Sequence, residues 1–437
     1  MAITNITLTN NIIGLFVVKV FSMLASLALI PLLNNYFESD LNLIGGWLAF
    51  ASLIAVISSI DLGIGNRLKN DILNRLSQKK GYLDLIIESF CAQLIVAILL
   101  SVIFTVWALY YKSTLGSDYN LLKENPELIY ISLAYILLAM PLKLSFFILQ
   151  ARQANALSSL VVFIPQLLIV FALIFFGTYS YTYPLLQLAT IHLLATVMVY
   201  FGAFFLSRDA FRASQIENIK LILTKTLLSG NVNRFFRGFP FFVIQMSIIF
   251  LYSNNEIFYL VYGQIQDVVY YQYYFRPFSF FSVGLSLVSL PFWSAIRLSH
   301  LNHEALRTRQ LCSYVLSLNI PIFFLIILLC YFFQSILDLW LGSGFYLADS
   351  FNLLLFSMLS ILVCLMHSLS SILSGFDLIS FQAKTLVFGF LVKLFVFGCL
   401  QLSDLDVDYV VVSTVVGLLL IVTILSCKTA AILKSYS

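Results

Sequence analysis

The chain has 437 residues, of which 61% are hydrophobic and only 10% charged, with a formal net charge of +4 and a mean hydropathy of +0.98. Soluble domains carry about 25% charged residues, so this composition excludes a soluble enzyme and indicates a polytopic membrane protein; the net charge says little about partners, and no nucleic-acid partner is expected. Six cysteines (Cys91, Cys312, Cys330, Cys364, Cys399 and Cys427) lie in or at the ends of apolar segments without a C-x-x-C pair, so neither a disulfide framework nor a zinc site is expected.

The N-terminus, MAITNITLTNN, lacks the basic region and small-residue cleavage site of a signal peptide, so the first apolar segment is expected to stay as a span. A helix needs about 20 mainly apolar residues to cross the hydrocarbon core. On that measure spans are predicted near 9–33, 44–60, 82–111, 127–149, 157–177, 184–206, 231–256, 267–291, 310–333, 349–370, 385–402 and 409–427. The stretch 231–291 is the least regular, with polar interruptions at Asn254, Asn255, Gln264 and Gln266. Pro31, Pro141, Pro165, Pro240, Pro277, Pro291 and Pro321 lie in or at the ends of spans, where each removes a backbone donor and favours a bend.

The loops orient these spans. Sixteen lysines and arginines fall on one side, among them Arg67, Lys69, Arg75, Arg152, Arg307 and Lys434, against Lys112 and Lys123 on the other. By the positive-inside rule both termini are expected in the cytoplasm, and an even number of spans follows. No loop exceeds about 25 residues, which leaves no room for a soluble catalytic domain. The inner loop 207–230 divides the spans six and six, giving an N-terminal lobe 1–206 and a C-terminal lobe 231–437. The segment DLGIGNRLKNDI (61–72) is not a G-x-G-x-x-G and follows no strand, so it reads as a tight membrane exit into an inner amphipathic segment with Asp61 as cap or ion partner.

Six basic residues remain inside the spans: Lys19, Lys143, Arg234, Arg237, Arg276 and Lys393. A cation at mid-bilayer costs roughly 3 kcal/mol on insertion scales and normally faces a cavity or a transport path. Lys19, Arg276 and Lys393 are the deepest, with no acid expected at their depth, and are predicted to hold an anion. Lys143, Arg234 and Arg237 lie closer to the cytoplasmic ends, where they either snorkel or receive a phosphate from the inner leaflet. Arg234 and Arg237 share a helical face at i, i+3. A tyrosine cluster that includes Tyr270, Tyr271, Tyr273 and Tyr274 reads as an interfacial aromatic belt or as a surface for stacking sugar rings. No H-E-x-x-H and no carboxylate pair at hydrolase spacing occurs, so no catalytic residue, metal site or cofactor is expected.

The first span LFVVKVFSMLASLALIPLL, the turn into IGGWLAF, the exit DLGIGNRLKNDI and the SLPFWSAI that closes the eighth span occur in an order that resembles the polysaccharide transport family of the multidrug/oligosaccharidyl-lipid/polysaccharide (MOP) flippase superfamily. Within that family the chain is most similar to bacterial O-antigen flippases, and the likeness covers nearly its whole length. The resemblance implies an all-α integral membrane protein of twelve transmembrane helices in two six-helix lobes around a central cavity, alternating between inward- and outward-open states. It implies a substrate of undecaprenyl-pyrophosphate-linked oligosaccharide, a bacterial inner-membrane location, and work alongside polysaccharide polymerase and chain-length proteins. Two other readings stand beside it: a membrane-embedded polysaccharide polymerase or ligase, for which the outer loops are short, and a multidrug exporter of the same superfamily, which deep cations disfavour.

Overall fold

A computed structural model describes residues 2–78, 80–114, 121–152, 154–177, 183–206, 242–342, 346–403 and 408–434. Arg234, Arg237 and the loop 207–230 lie outside the described residues. All regular structure among the described residues is helical, as expected of an all-α membrane protein. Among the described residues, ten helices are long and apolar enough to cross a membrane. The segment Phe242–Ser253 and the 37-residue helix Ile265–Leu301 occupy the two remaining expected positions. Large apolar side chains face outward: Ile98, Leu99, Val102, Ile103 and Val106 on Leu83–Thr114 are each more than half exposed, the inverse of a water-soluble surface.

Two compact units are present. The first comprises Met1–Phe242 with Gln264–Gln266, and the second Val243–Gly263 with Asp267–Ser437. In the first unit Ala2–Tyr36 packs along Asn155–Phe176, which packs on Pro184–Leu206. Its fourth span is broken. A π-turn at Tyr135–Ala139 separates Glu127–Ala134 from Met140–Leu142 and Leu144–Ala151. Pro141 follows at once, and a ring without an N–H favours such a widened turn.

The exit after the second span folds as predicted. Asp61 accepts hydrogen bonds from the amides of Gly63 (2.9 Å) and Gly65 (3.1 Å), and so caps the helix Ile64–Ser77. Ile64, Leu68 and Ile72, spaced i, i+4, i+8, are buried, while Asn66, Arg67 and Asn70 lie on the other side and Arg75, beside the buried row, pairs with Asp84 at 3.1 Å. The helix packs on Leu144–Ala151, where Gly65 lies so close to the Phe147 ring that no Cβ would fit. Lys69 donates to Gln150 Oε1 at 3.2 Å, and burial lowers its ammonium below the usual lysine range.

In the second unit Ser350–Gly375, Ile379–Gln401 and Tyr409–Lys434 pack together. A Cβ on Gly417 would stand 2.8 Å from the Gly389 carbonyl and 3.2 Å from Lys393 Cβ, so the last two helices touch backbone to backbone. Small residues at such crossings are the usual device for helix association in lipid.

Candidate functional site

The predicted basic residues have divergent fates. In the first unit Lys143 Nζ donates to the Ser58 carbonyl at 2.8 Å and interacts electrostatically with Asp61. It closes the C-terminal end of Leu41–Ser59, a structural placement that uses one of its three protons. Lys19 is half-buried on the first helix, and among the described residues it has no hydrogen-bond or ion-pair partner. One turn further on, Ser22 donates to Gln166 Oε1 at 3.4 Å, so the side of the helix that carries Lys19 continues as a polar contact with Asn155–Phe176.

In the second unit Arg276 is nine-tenths buried, and its Nε donates to Gln272 Oε1 at 2.8 Å. Gln272 Nε2 in turn donates to Glu256, a carboxylate that is itself only 5% exposed. The expectation that no acid lies at the depth of the cations is thereby overturned. Glu256 compensates Arg276 through one amide, and the pair attract electrostatically. The signal was in the sequence as the run Asn254-Asn255-Glu256 inside an apolar stretch.

Lys393 is fully buried. Its Nζ donates to the carbonyls of Phe250 (2.8 Å) and Leu251 (2.9 Å) and to Asn255 Oδ1 (2.6 Å), and it sits 4.2 Å from the centre of the Phe258 ring. A lysine ammonium has three protons, and all three are used here. Lys393 therefore has no donor left for a substrate phosphate in this structure, contrary to the cavity-facing role expected of it.

The tyrosine cluster lines a pocket of about 530 Å³ formed wholly within the second unit. Tyr259, Tyr262, Tyr270, Tyr271 and Tyr274 contribute from the segments 256–262 and 265–301, with Tyr346, Phe356 and Phe397. Tyr273 is not part of the lining. It is buried against Trp340 and Tyr346, which corrects its expected sugar contact. The rings pack on one another: Tyr270 stacks on Tyr346 at 5.4 Å, and Tyr274 on Phe356 at 5.1 Å. Polar groups interleave with them, namely Asn352, Gln401, Asp267 and Asp408. No lysine or arginine is among the lining residues.

Asp408 accepts from the Tyr259 hydroxyl and from the amides of Val410 (3.1 Å) and Val411 (3.0 Å), and so caps the last helix. Burial pushes its carboxyl above the usual range, the nearby Asp267 adds to this, and the three donors oppose it. Rings presenting both face and edge, with amides and carboxylates between them, suit a hydroxylated or cationic ligand and disfavour an anion. Sequence reasoning found the tyrosines but missed Asp267, Asp408, Asn352 and Tyr346, which come from segments far apart in the chain. No group of histidines, cysteines and carboxylates that could hold a metal occurs among the described residues.

No family model matches the chain, and no curated protein matches it. Solved structures do. An inward-facing multidrug resistance MATE family transporter of the MOP superfamily aligns with 97% of this chain and 98% of its own, at a TM-score of 0.69 and 11% identity. The lipid II flippase MurJ, in an inward closed conformation, aligns with 95% of this chain and 87% of its own, at 0.64 and 17%. A MOP superfamily transporter from Pyrococcus furiosus, reported with a binding pocket of reversed polarity, aligns with 99% and 95%, at 0.58 and 14%. The chain thus has the fold of MOP superfamily transporters.

Proposed function

We propose that this chain is a flippase that moves an undecaprenyl-pyrophosphate-linked oligosaccharide, of the O-antigen class, from the inner to the outer leaflet of a bacterial inner membrane. The observation that carries the reading is the ring-lined pocket with its interleaved amides and carboxylates, because carbohydrate hydroxyls need donors and acceptors at the edges of a stacking surface. The pyrophosphate needs a separate cationic contact, and Lys19, with its donors uncommitted among the described residues, supplies it. Arg276, Arg237 and Arg234 are further candidates for the anionic head. The polyprenyl tail stays in lipid while the head passes through the protein, with both termini on the cytoplasmic side. The lipid II flippase among the structural relatives handles a lipid-linked substrate on the same fold, which supports the reading.

A deletion strain complemented with the wild-type chain should regain surface polysaccharide. With Lys19→Ala or a Tyr270→Ala/Tyr346→Ala pair it should retain single lipid-linked repeat units on the inner leaflet, at normal protein level in the membrane. Full surface polysaccharide from both variants would sink the proposal. Single units displayed outside but never joined would instead indicate a polymerase.

The carboxylates of Asp267 and Asp408 favour a second reading, export of organic cations, since aromatic rings beside carboxylates also hold quaternary ammonium groups. Dye sensitivity in the deletion strain with intact surface polysaccharide would select it.

A further inference from the structure

The helix that ends at Ser253 does not end in water. The π-turn Ile249–Ser253 shifts the hydrogen-bond register, so that the Asn254 amide reaches the Ile249 carbonyl at 3.0 Å and bypasses Phe250. Asn254 then leaves the helical region, with φ −137° and ψ 54°, and the chain restarts as Glu256–Tyr262. The carbonyls of Phe250 and Leu251 are left pointing into the second unit without their helical donors. Such groups within a membrane protein must be satisfied internally, because no lipid group replaces the lost hydrogen bond.

Lys393 reaches them from the helix Ile379–Gln401. Its ammonium is held by three oxygens at 2.6–2.9 Å, and all three belong to uncharged groups. Thr414 Oγ1, 3.5 Å from Asn255 Oδ1, lies beside this shell, and the Phe258 ring covers one side. The stem of Lys393 passes where Gly417 has no side chain. Neutral carbonyl and amide oxygens converging on one point at a broken helix are the ligand set that proteins use for a dehydrated monovalent cation.

We propose that Phe250 O, Leu251 O and Asn255 Oδ1 form a monovalent-cation cage, and that the Lys393 ammonium is the cation, tethered to the protein. Each of the three oxygens accepts and none donates, so the amine must bring three protons and a full charge. The chain thereby keeps a fixed positive charge where a diffusible ion could otherwise bind, and it fastens the break between 249–253 and 256–262 to the two C-terminal helices. The inference does not depend on what the protein transports.

Removing the side chain should convert the cage into a site for a free ion. Purified Lys393→Ala protein in detergent should melt several degrees below wild type in choline chloride. It should recover at least half of that loss in ammonium, potassium or sodium chloride, with a saturable concentration dependence. The wild-type melting temperature should be the same in all four salts. A Lys393→Ala protein that no small cation rescues, or that cannot be recovered folded even in ammonium chloride, would overturn the proposal, because ammonium restores the same charge and donors. A second variant does not require the cage to be emptied. Asn255→Asp places a carboxylate against the amine, and at pH 8 it should melt above Asn255→Ala. Because Asn255 Nδ2 also donates to Tyr271 and Thr414, the comparison is with Asn255→Ala, and an Asp variant that melts no higher than the Ala variant would mean that the amine carries no charge, and would equally overturn it.

Discussion

Burying a cation in a membrane protein is costly unless its partners are arranged in advance, and the basic residues here differ in how that is done. Arg276 is relayed to Glu256 through Gln272, Lys143 closes a helix end, and Lys19 has no partner among the described residues. Glu256→Gln should destabilise the second unit by ~2 kcal/mol, since it strips the compensation from a buried guanidinium. Arg276→Gln alone should cost a similar amount, and the double variant should recover part of the loss. Thermal melts of the four proteins give the coupling directly, and strictly additive losses would argue against the relay. That Lys19, Arg276 and Lys393 fall inside long helices was legible in the sequence, whereas the partners of Arg276 and Lys393 were not. Backbone carbonyls freed by a π-turn have no residue-type signature, so nothing in the string could show that Lys393 would meet Phe250 and Leu251. The polar run at Asn254–Glu256 was visible, but only the fold brings it beside Gln272 on another helix.

Local chemistry also decides how whole elements sit. Asp61 holds the N-terminus of Ile64–Ser77, and its charge faces Lys143. Asp61→Ala should cost about 1 kcal/mol through the lost cap. Faster hydrogen exchange should be confined to residues 63–68, and uniform exchange across the helix would contradict the assignment. Where Ile379–Gln401 crosses Tyr409–Lys434, Gly389 abuts Ile421 and the Gly417 carbonyl. Gly389→Val should overpack that crossing by about 1–3 kcal/mol and lower the melting temperature by several degrees. Unchanged melting would show that the crossing has slack. Element type and order were readable from hydropathy and loop charge because the membrane imposes a long apolar period. The breaks were less readable: Pro141 marked one π-turn, but no proline marks the turn at Ile249–Ser253.

For the molecule as a whole, the proposed cargo carries roughly two negative charges outward, and a membrane potential is worth about 2.3 kcal/mol per charge per 100 mV. With the interior negative, export would be favoured by about 4–5 kcal/mol per 100 mV on that figure, provided that the protein's own cations do not travel with the cargo. The tethering of Lys393 to backbone carbonyls fits that condition for one of them. Proteoliposomes that contain the chain should flip a pyrophosphate-linked sugar faster under an imposed inside-negative potential than at zero potential. A rate insensitive to voltage would mean that compensating charge moves with the substrate.

The helix Asn319–Leu341 has a further consequence. Only Ile326, Phe333 and Leu337 are buried along its 23 residues, while Phe324, Leu325, Leu328 and Tyr331 are at least half exposed. In a bilayer, acyl chains are expected to form most of its packing surface. Its tilt should follow the thickness of the host bilayer, so that shorter or longer phospholipids adjust this one rod before they disturb the tightly crossed helices behind it.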